Sequence, residues 1–412
     1  MMHSAKPSLN DTLQGITVLD FSQVGAGPTA GMLLGDLGAD VIKIESLAGD
    51  IGRKLGPPWQ HGESVVSMSF NRNKRSLAID LKRPQAQALV QRMAQSADVV
   101  LESFRPGVMD RLGLGYEALS AQHPSLIYCS VSAYGQTGPW ADKPGVDGIV
   151  QAVSGLMSNI GNEDSPPMKV LVPAADMVTG YLATLSIVAA LHQRDRAGPH
   201  QGKGQHLDMS LFNSAVMLQQ SALASYLSNG ELPARTGTAA PYSAPNEAYP
   251  TQNGWIMIAA YHEDRWRALC QVLGDPALAD DPRFATNPQR VANRHALMHV
   301  LSQHLAHQTS ETWQARFEAA DIICGTIANY HQLMASPQVA HNGIVVDTHN
   351  PIAGLVRMPG LAVGDRDAQS RVRHGPPALG QHSLDILRQF GLSEAECQSL
   401  MSEGVIAQLK ES

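Results

Sequence analysis

The 412 residues exceed one ordinary hydrophobic core, so two domains are expected. With 43% hydrophobic and 16% charged residues the mixture is that of a folded globular chain, which excludes an intrinsically disordered one. A net charge of −7 argues against a general nucleic-acid binder, although a local basic patch can still hold a phosphate.

Ile16 to Phe21 (ITVLDF) predicts a short apolar strand, followed by a glycine loop and helix (SQVGAGPTAGMLLGDLGA) and a second strand, Asp40 to Glu45 (DVIKIE). Strand, helix and strand within about 30 residues form a βαβ unit and imply a parallel sheet. Pro28 suits the first helical turn and Gly38 the stop. The loop from Gly25 to Gly31 spaces its glycines GxGxxxG rather than GxGxxG. A dinucleotide site, with Glu45 as its ribose acid, is therefore disfavoured. The loop still offers backbone N–H groups at a helix start to an anion or a close-lying pantetheine chain.

Ser69 to Lys82 (SFNRNKRSLAIDLK) carries Arg72, Lys74, Arg75 and Lys82 around a β-rich centre. It reads either as a solvated basic edge or as a phosphate cradle. Pro84 opens an amphipathic helix, Asp98 to Glu102 a strand, and Ser103-Phe104-Arg105-Pro106-Gly107 a turn at that strand's carboxyl end. Ligands bind at such ends in open α/β sheets. Leu126 to Ser132 is a further strand, running into the Ala133–Pro139 loop, and Gly145 to Gly161 a helix.

The segment Val172 to Asp208 organises the rest. Asp176 stands before a long apolar run, Met177 to about His192, whose length and lack of alternation predict a buried helix. Asp176 is placed as the N-cap of that helix. A carboxylate there is either a cap or a nucleophile kept ionised by the positive helix end, and the two roles are compatible.

A helix from about Leu211 to Leu227 closes the first domain, and Asn229 to Pro250 reads as a linker. A strand at Gly254 to Ala260 and helices at 265–273, 289–307 and 312–320 make a smaller α+β domain. The expected domains are thus 1–228 with 331–412, and 229–330.

Cys129, Cys270, Cys324 and Cys397 form no CxxC pair and suit a reducing compartment. The start MMHSAKPSLND lacks a signal-peptide core, and no apolar run reaches about 20 residues without Gly or polar interruption. A soluble, cytoplasmic chain is expected, with no membrane or nucleic-acid partner. No P-loop, HExxH or GxSxG motif occurs. His192, His200 and His206 have no cysteine or acid at ligand spacing and read as surface residues, so no metal site is expected. A buried carboxylate, donor-rich glycine loops and cations at strand ends suit acyl transfer between thioesters and carboxylates.

The segments LQGITVLDFSQVGAGP, LGADVIKIE, NRNKRSLAIDLK, ESFRPGVMDRLGLGYEAL, SAYGQTGPW, GVDGIVQAVSGLMS, GKGQHLDMSL and SPQVAHNGIVV together resemble the family III CoA-transferases. That group includes formyl-CoA, carnitine and dicarboxylate CoA-transferases, with 2-methylacyl-CoA racemases as relatives. The resemblance runs from Leu13 to the last helix. It implies a Rossmann-like large domain, an inserted smaller domain and an interlocked homodimer. It also implies that Asp176 attacks a donor acyl-CoA and carries an aspartyl-CoA thioester, with backbone N–H groups of the glycine loops holding the oxyanion. CoA thioesters are then substrates, and no prosthetic group is required. The implied CoA contacts are Gly25, Ala26, Ile79, Lys82, Phe104, Arg105, Arg111 and Tyr134. Ser46, Ser103 and Ser132 depart from the family's basic, Asn and Lys choices, and no glycine run stands near Ala239 to Pro250.

The resemblance points to CoA transfer from succinyl-CoA to a small dicarboxylate such as itaconate, citramalate or mesaconate. Arg72 and Arg235 are the spare cations offered for the second carboxylate. Formyl-CoA:oxalate-type or carnitine-type exchange is the alternative. A racemase is disfavoured because Val146 takes the place of the racemases' histidine in a GHD motif, although Glu263 matches their glutamate. Retention of Asp176 disfavours a protein that only binds CoA.

Overall fold

The computed structural model describes residues 9–362 and 372–409. Residues 1–8, which hold most of the start judged to lack a signal-peptide core, lie outside that range. The chain divides into two compact units. One is drawn from Met1–Leu156, Lys169–Ala224 and Gln338–Ser412, the other from Met157–Met168 and Ser225–Pro337.

The first unit is built on a seven-stranded sheet. Its parallel strands are β1 (Thr17–Asp20), β2 (Asp40–Glu45), β3 (Lys74–Ile79), β4 (Val99–Glu102), β5 (Ile127–Ser132) and β6 (Gln205–Ser210). Their spatial order is 3-2-1-4-5-6, the doubly wound order, and Ile406–Ala407 adds an antiparallel edge beside β3. Both faces of the central strands are covered, so they read as apolar runs without alternation: Val18, Leu19, Val41, Ile42, Val99, Val100 and Leu101 are each at most 1% exposed. The order reverses between β1 and β4, where a ligand crevice forms at the carboxyl ends of the strands.

Helix α1 (Ala26–Asp36) follows β1, and α2 (Pro84–Ala94) follows β3. Along α1 three glycines recur at every fourth position, on one side of the helix. A Cβ at Gly27 would overlap Ser22, at Gly31 the Asp20–Lys74 pair, and at Gly35 Asn73. These glycines therefore let the helix approach buried polar groups. Lys74 Nζ is 2.8 Å from Asp20 Oδ2 and donates to the Pro28 carbonyl at 2.9 Å. Arg72 pairs with Asp36 and donates to the Pro359 carbonyl, and Arg75 pairs with Asp40. The basic run is thus neither a solvated edge nor a phosphate cradle, except at exposed Lys82. Buried cations need partners, and each of these three has one.

Helix α3 (Asp147–Val153), helix α4 (Ala174–Asp195) and helix α5 (Leu211–Leu218) complete this side of the unit. By length and composition α4 is the one helix among the described residues that could cross a membrane. Here Gly180 lets it lie against Thr29 and the Ala26 carbonyl of α1. The helix expected from Leu211 to Leu227 is interrupted at Gln219 and resumes as Gln220–Asn229.

The second unit has a three-stranded antiparallel sheet of Asn246–Pro250, Trp255–Ala259 and Ile323–Thr326. Helices Glu263–Leu273, Arg294–Leu305 and Ser310–Glu318 pack on it around Trp266, Phe284, Leu297, Leu301 and Phe317. Sequence alone assigns 157–168 to the first unit, whereas contacts join it to the second. Arg235 donates to the carbonyls of Asn162, Glu163 and Ser165, and the Gly237 N–H to that of Gly161. The expected linker also hides the strand Asn246–Pro250, because its buried Glu247 interrupts the apolar pattern; that charge pairs with Arg294. The expected 289–307 helix breaks at Asn293, whose side chain donates to the Gln289 and Arg283 carbonyls.

Gly31→Ala is expected to destabilise the first unit by about 1–3 kcal/mol, the usual cost of overpacking. Gly148→Ala, where a Cβ meets nothing within 4 Å, should be neutral or slightly stabilising. Thermal unfolding of the two variants checks the contrast.

Candidate active site

Asp176 lies in the first turn of α4, third residue of the helix, and is not its N-cap. Pro173 holds the cap position, and no side chain of the cap residue closes the helix start. The exposed N–H groups of the first turn are met from α3 instead. Asp147 Oδ1 accepts from Ala175 N at 2.8 Å and from Asp176 N at 3.3 Å. Gln151 fixes that carboxylate by donating to Asp147 Oδ2 at 2.6 Å, and it binds both backbone groups of Val170. The cap expected of Asp176 is thus supplied by Asp147, which leaves the Asp176 carboxylate without a hydrogen bond or ion pair among the described residues.

The carboxylate faces a cavity of about 190 Å³. Its walls are the Gln23–Gly27 loop, Ser103, Ser132–Ala133, Gly145–Asp147 and Leu211. Gly25 packs directly on Asp176: any Cβ there would overlap Oδ2. Two N–H groups of the loop are already used, Gln23 N on Ser103 Oγ at 2.8 Å and Val24 N on Asp50. Those of Gly25, Ala26 and Gly27, at the start of α1, have no acceptor among the described residues. Free donors at a helix N-terminus suit an anion or a developing oxyanion.

Burial, reinforced by the Asp147 carboxylate, pushes the Asp176 pKa up to about 7. A helix N-terminus ordinarily favours the ionised form, but here Asp147 has taken the N–H groups that would do so. Asp176 is accordingly a poorly solvated carboxylate that is partly ionised at neutral pH.

Three of the expected site residues, Gly25, Ala26 and Asp176, share this cavity. Tyr134 stands just behind it, its ring against Gly145 and edge-on to Trp140. The others follow the carboxyl ends of β3 and β4. Ile79 is fully buried and pairs with Ile406 on the sheet edge, so the contact expected of it has no surface to offer a ligand. Lys82, Arg105 and Arg111 are exposed and form no ion pair among the described residues. Phe104 is half-buried, its N–H donating to Glu102 Oε2. Arg105 lines a separate cavity with Glu102, Tyr128, Ser130 and His206. There burial pushes Glu102 up to about 7. His206 is exposed, as expected of a surface residue, and it bonds Ser130 Oγ at 2.9 Å and stacks on Tyr116.

Neither Arg72 nor Arg235 is a spare cation: the first is buried on Asp36, and the second is bound to loop carbonyls. Glu263 is also engaged, accepting from Arg290 at 3.0 Å and from Asn287 N at 3.1 Å. Sequence reasoning misses Asp147, Gln151 and Asp50. For Asp147 the available signal is an acid in the first turn of a predicted helix; Gln151 and Asp50 have none, since their roles are contacts distant in sequence.

The family model for CoA-transferase family III matches residues 13–383. The chain is 38% identical to the succinyl-CoA:glutarate CoA-transferase of Mus musculus, over 96% of this chain and 90% of that one. It is 34% identical to the succinyl-CoA–D-citramalate CoA-transferase of Chloroflexus aurantiacus, over 96% and 98%. The crystal structure of a CaiB/BaiF family protein from Brucella suis superposes with a TM-score of 0.83 at 35% identity, covering 92% of this chain and 99% of that one.

The Asp176 carboxyl has a usual pKa of 3.8 and one of about 7 in the fold. Between those values the folded chain holds a proton that the unfolded chain has lost, so this group's contribution to stability falls as pH rises through 7. Asp176→Asn, which cannot ionise, is expected to raise the unfolding temperature at pH 8. The gain should shrink as pH falls and vanish below about pH 4. Calorimetry across that range checks the sign.

Proposed function

The chain belongs to CoA-transferase family III, and from that premise we propose that it moves CoA from succinyl-CoA to a small dicarboxylic acid of the glutarate class through a covalent intermediate on Asp176. The observation that carries this reading is the pairing, in one cavity, of a poorly solvated, unpartnered carboxylate with three free backbone N–H groups. A desolvated carboxylate with a raised pKa is a stronger nucleophile than one in water.

An Asp176 oxygen attacks the thioester carbonyl of the donor, and its oxygen becomes an oxyanion held by Gly25, Ala26 and Gly27 N–H. Collapse breaks the C–S bond, releasing CoA thiolate and leaving a succinyl–aspartyl anhydride. The thiolate then attacks the aspartyl carbonyl, giving aspartyl-CoA thioester and free succinate. The acceptor carboxylate attacks that thioester, again releasing CoA thiolate and forming a second anhydride. Attack of the thiolate on the acceptor's carbonyl yields the new acyl-CoA and restores the Asp176 carboxylate. One thioester is exchanged for another, so the net step is nearly isoenergetic.

Lys82, Arg105 and Arg111 are the cations proposed for the CoA phosphates, being exposed and unpaired near the same sheet edge. Gly25, Ala26, Phe104 and Tyr134 complete the proposed CoA path. The choice of acceptor leans on the relatives, whose names specify glutarate and D-citramalate. Among the described residues Asp147 and Asp176 are the only charged ones lining the cavity, and none of them offers a cation to a second carboxylate. Itaconate and mesaconate remain acceptors to test beside glutarate and citramalate. The proposal includes an interlocked homodimer, in keeping with apolar side chains left open on this unit, Leu171 at 88% and Leu185 at 65% exposure.

Incubation with succinyl-CoA and each acid, read by intact mass and product analysis, tests the chemistry. A CoA adduct on Asp176 and one new acyl-CoA are expected. Asp176→Ala should lower turnover by about 10³-fold or more while CoA still binds; turnover retained in that variant would sink the nucleophile. Because Asp176 must be ionised to attack, kcat/KM should rise with pH through about 7. Asp147→Asn removes the neighbouring negative charge, so the midpoint of that profile is expected to move to lower pH.

A further inference from the structure

Val24 adopts φ +67, in the left-handed region where a β-branched side chain is strained. It lines the Asp176 cavity and directly precedes the three free N–H groups. Strain of this kind persists only when the surroundings hold it, and two buried charged residues do so here. Asp50 accepts from Val24 N with both oxygens, at 3.2 and 3.3 Å. Lys43 Nζ donates to Asp50 Oδ2 at 2.9 Å and to the Ser22 carbonyl at 3.0 Å. The pair therefore grips the chain on both sides of Gln23. Lys43 is 0% and Asp50 2% exposed.

Asp50 is itself held in place. It accepts from Gly52 N at 2.8 Å, and its own N–H donates to Glu45 Oε2 at 3.1 Å. Glu45 is paired with Arg53. Burial works against the Lys43 charge, but the carboxylates of Asp50, Glu45 and Asp20 outweigh it and keep the ammonium firmly protonated. Neither Lys43 nor Asp50 lines the cavity, so neither can touch the reacting atoms.

We propose that Asp50, held by Lys43, is a positioning residue for acyl transfer: it keeps Val24 left-handed so that the N–H groups of Gly25, Ala26 and Gly27 stay on the cavity wall beside Asp176. This rests on the Asp176 reading above. The clamp acts on donors needed when negative charge develops, so its loss falls on kcat and spares KM.

The test compares Asp50→Asn, Val24→Gly and the double variant with the full-length protein, using succinyl-CoA and glutarate. Amide hydrogen exchange across residues 21–28 is measured beside turnover. Asp50→Asn should speed exchange in that segment and lower kcat about 10–100-fold, with KM for succinyl-CoA within about 3-fold. Glycine accepts the left-handed conformation without strain, so adding Asp50→Asn to Val24→Gly should cost no more than about 3-fold beyond Val24→Gly alone. Equal losses from Asp50→Asn in the two backgrounds would overturn the proposal, as would unchanged exchange in that variant. Should Asp50→Asn alone fail to fold, the double variant decides: folded and active supports the clamp, and unfolded makes Asp50 a folding residue and ends it. Exchange reports on the clamp whether or not Asp176 is the nucleophile, a question that Asp176→Ala answers separately.

Discussion

The first unit depends on a layer of ion pairs buried beneath its first crossover. Lys43 on β2 and Lys74 on β3 point inward among apolar strands, and they meet Asp50 and Asp20. Taking four charges out of water is costly, and well-packed apolar side chains would often be as stable. What the pairs provide instead is position. Lys74 ties the end of β1 to the first turn of α1 through the Pro28 carbonyl, and Lys43 ties the loop between them to Asp50. Gly31 of α1 follows from the same layer, since the helix and the Asp20–Lys74 pair must occupy adjoining space.

Two helix starts meet at the Asp176 cavity, and their electrostatics differ. At α1 the loop's flanking N–H groups are consumed by Ser103 and Asp50, and the terminal three are left open. At α4 the N–H groups of Ala175 and Asp176 are consumed by Asp147, and the carboxylate is left open. One helix offers donors without an acceptor; the other offers an acceptor without donors. Had Asp176 capped its own helix, its oxygens would be engaged and its pKa low, and it would be a poor nucleophile.

The strand order places this cavity at the reversal between β1 and β4, where doubly wound sheets bind their ligands. The exposed cations Lys82, Arg105 and Arg111 follow the carboxyl ends of β3 and β4. A long ligand with phosphates at one end and a thioester at the other has groups to meet along that edge. The cation-rich run at 72–75 does not serve it, because all three of its cations are spent on aspartates.

Much of this was legible in the residues. Apolar runs bounded by Gly and Pro mark β1, β2, β4 and β5, the βαβ unit implies a parallel sheet, and the 16-residue apolar run after Asp176 marks a buried helix. The quoted segments were enough to indicate the family. These features are local, set by periodicity and turn chemistry within a few residues. Pairings across long stretches of chain were not legible. Nothing near Lys43, Lys74 or Arg72 tells that each is sealed against an aspartate, because a charge in a short run looks the same whether it faces water or a partner. The strand at Asn246–Pro250 was hidden by Glu247, whose partner Arg294 is 47 residues away. Asp176 stood out as a candidate from its context, but its raised pKa comes from burial, reinforced by Asp147, 29 residues earlier, which reaches it only when α3 docks on the start of α4. Sequence by itself determined most of the elements of the first unit and the family; tertiary structure alone decided which charges are spent and which remain available, because burial and pairing are properties of contacts that exist only once the chain has folded.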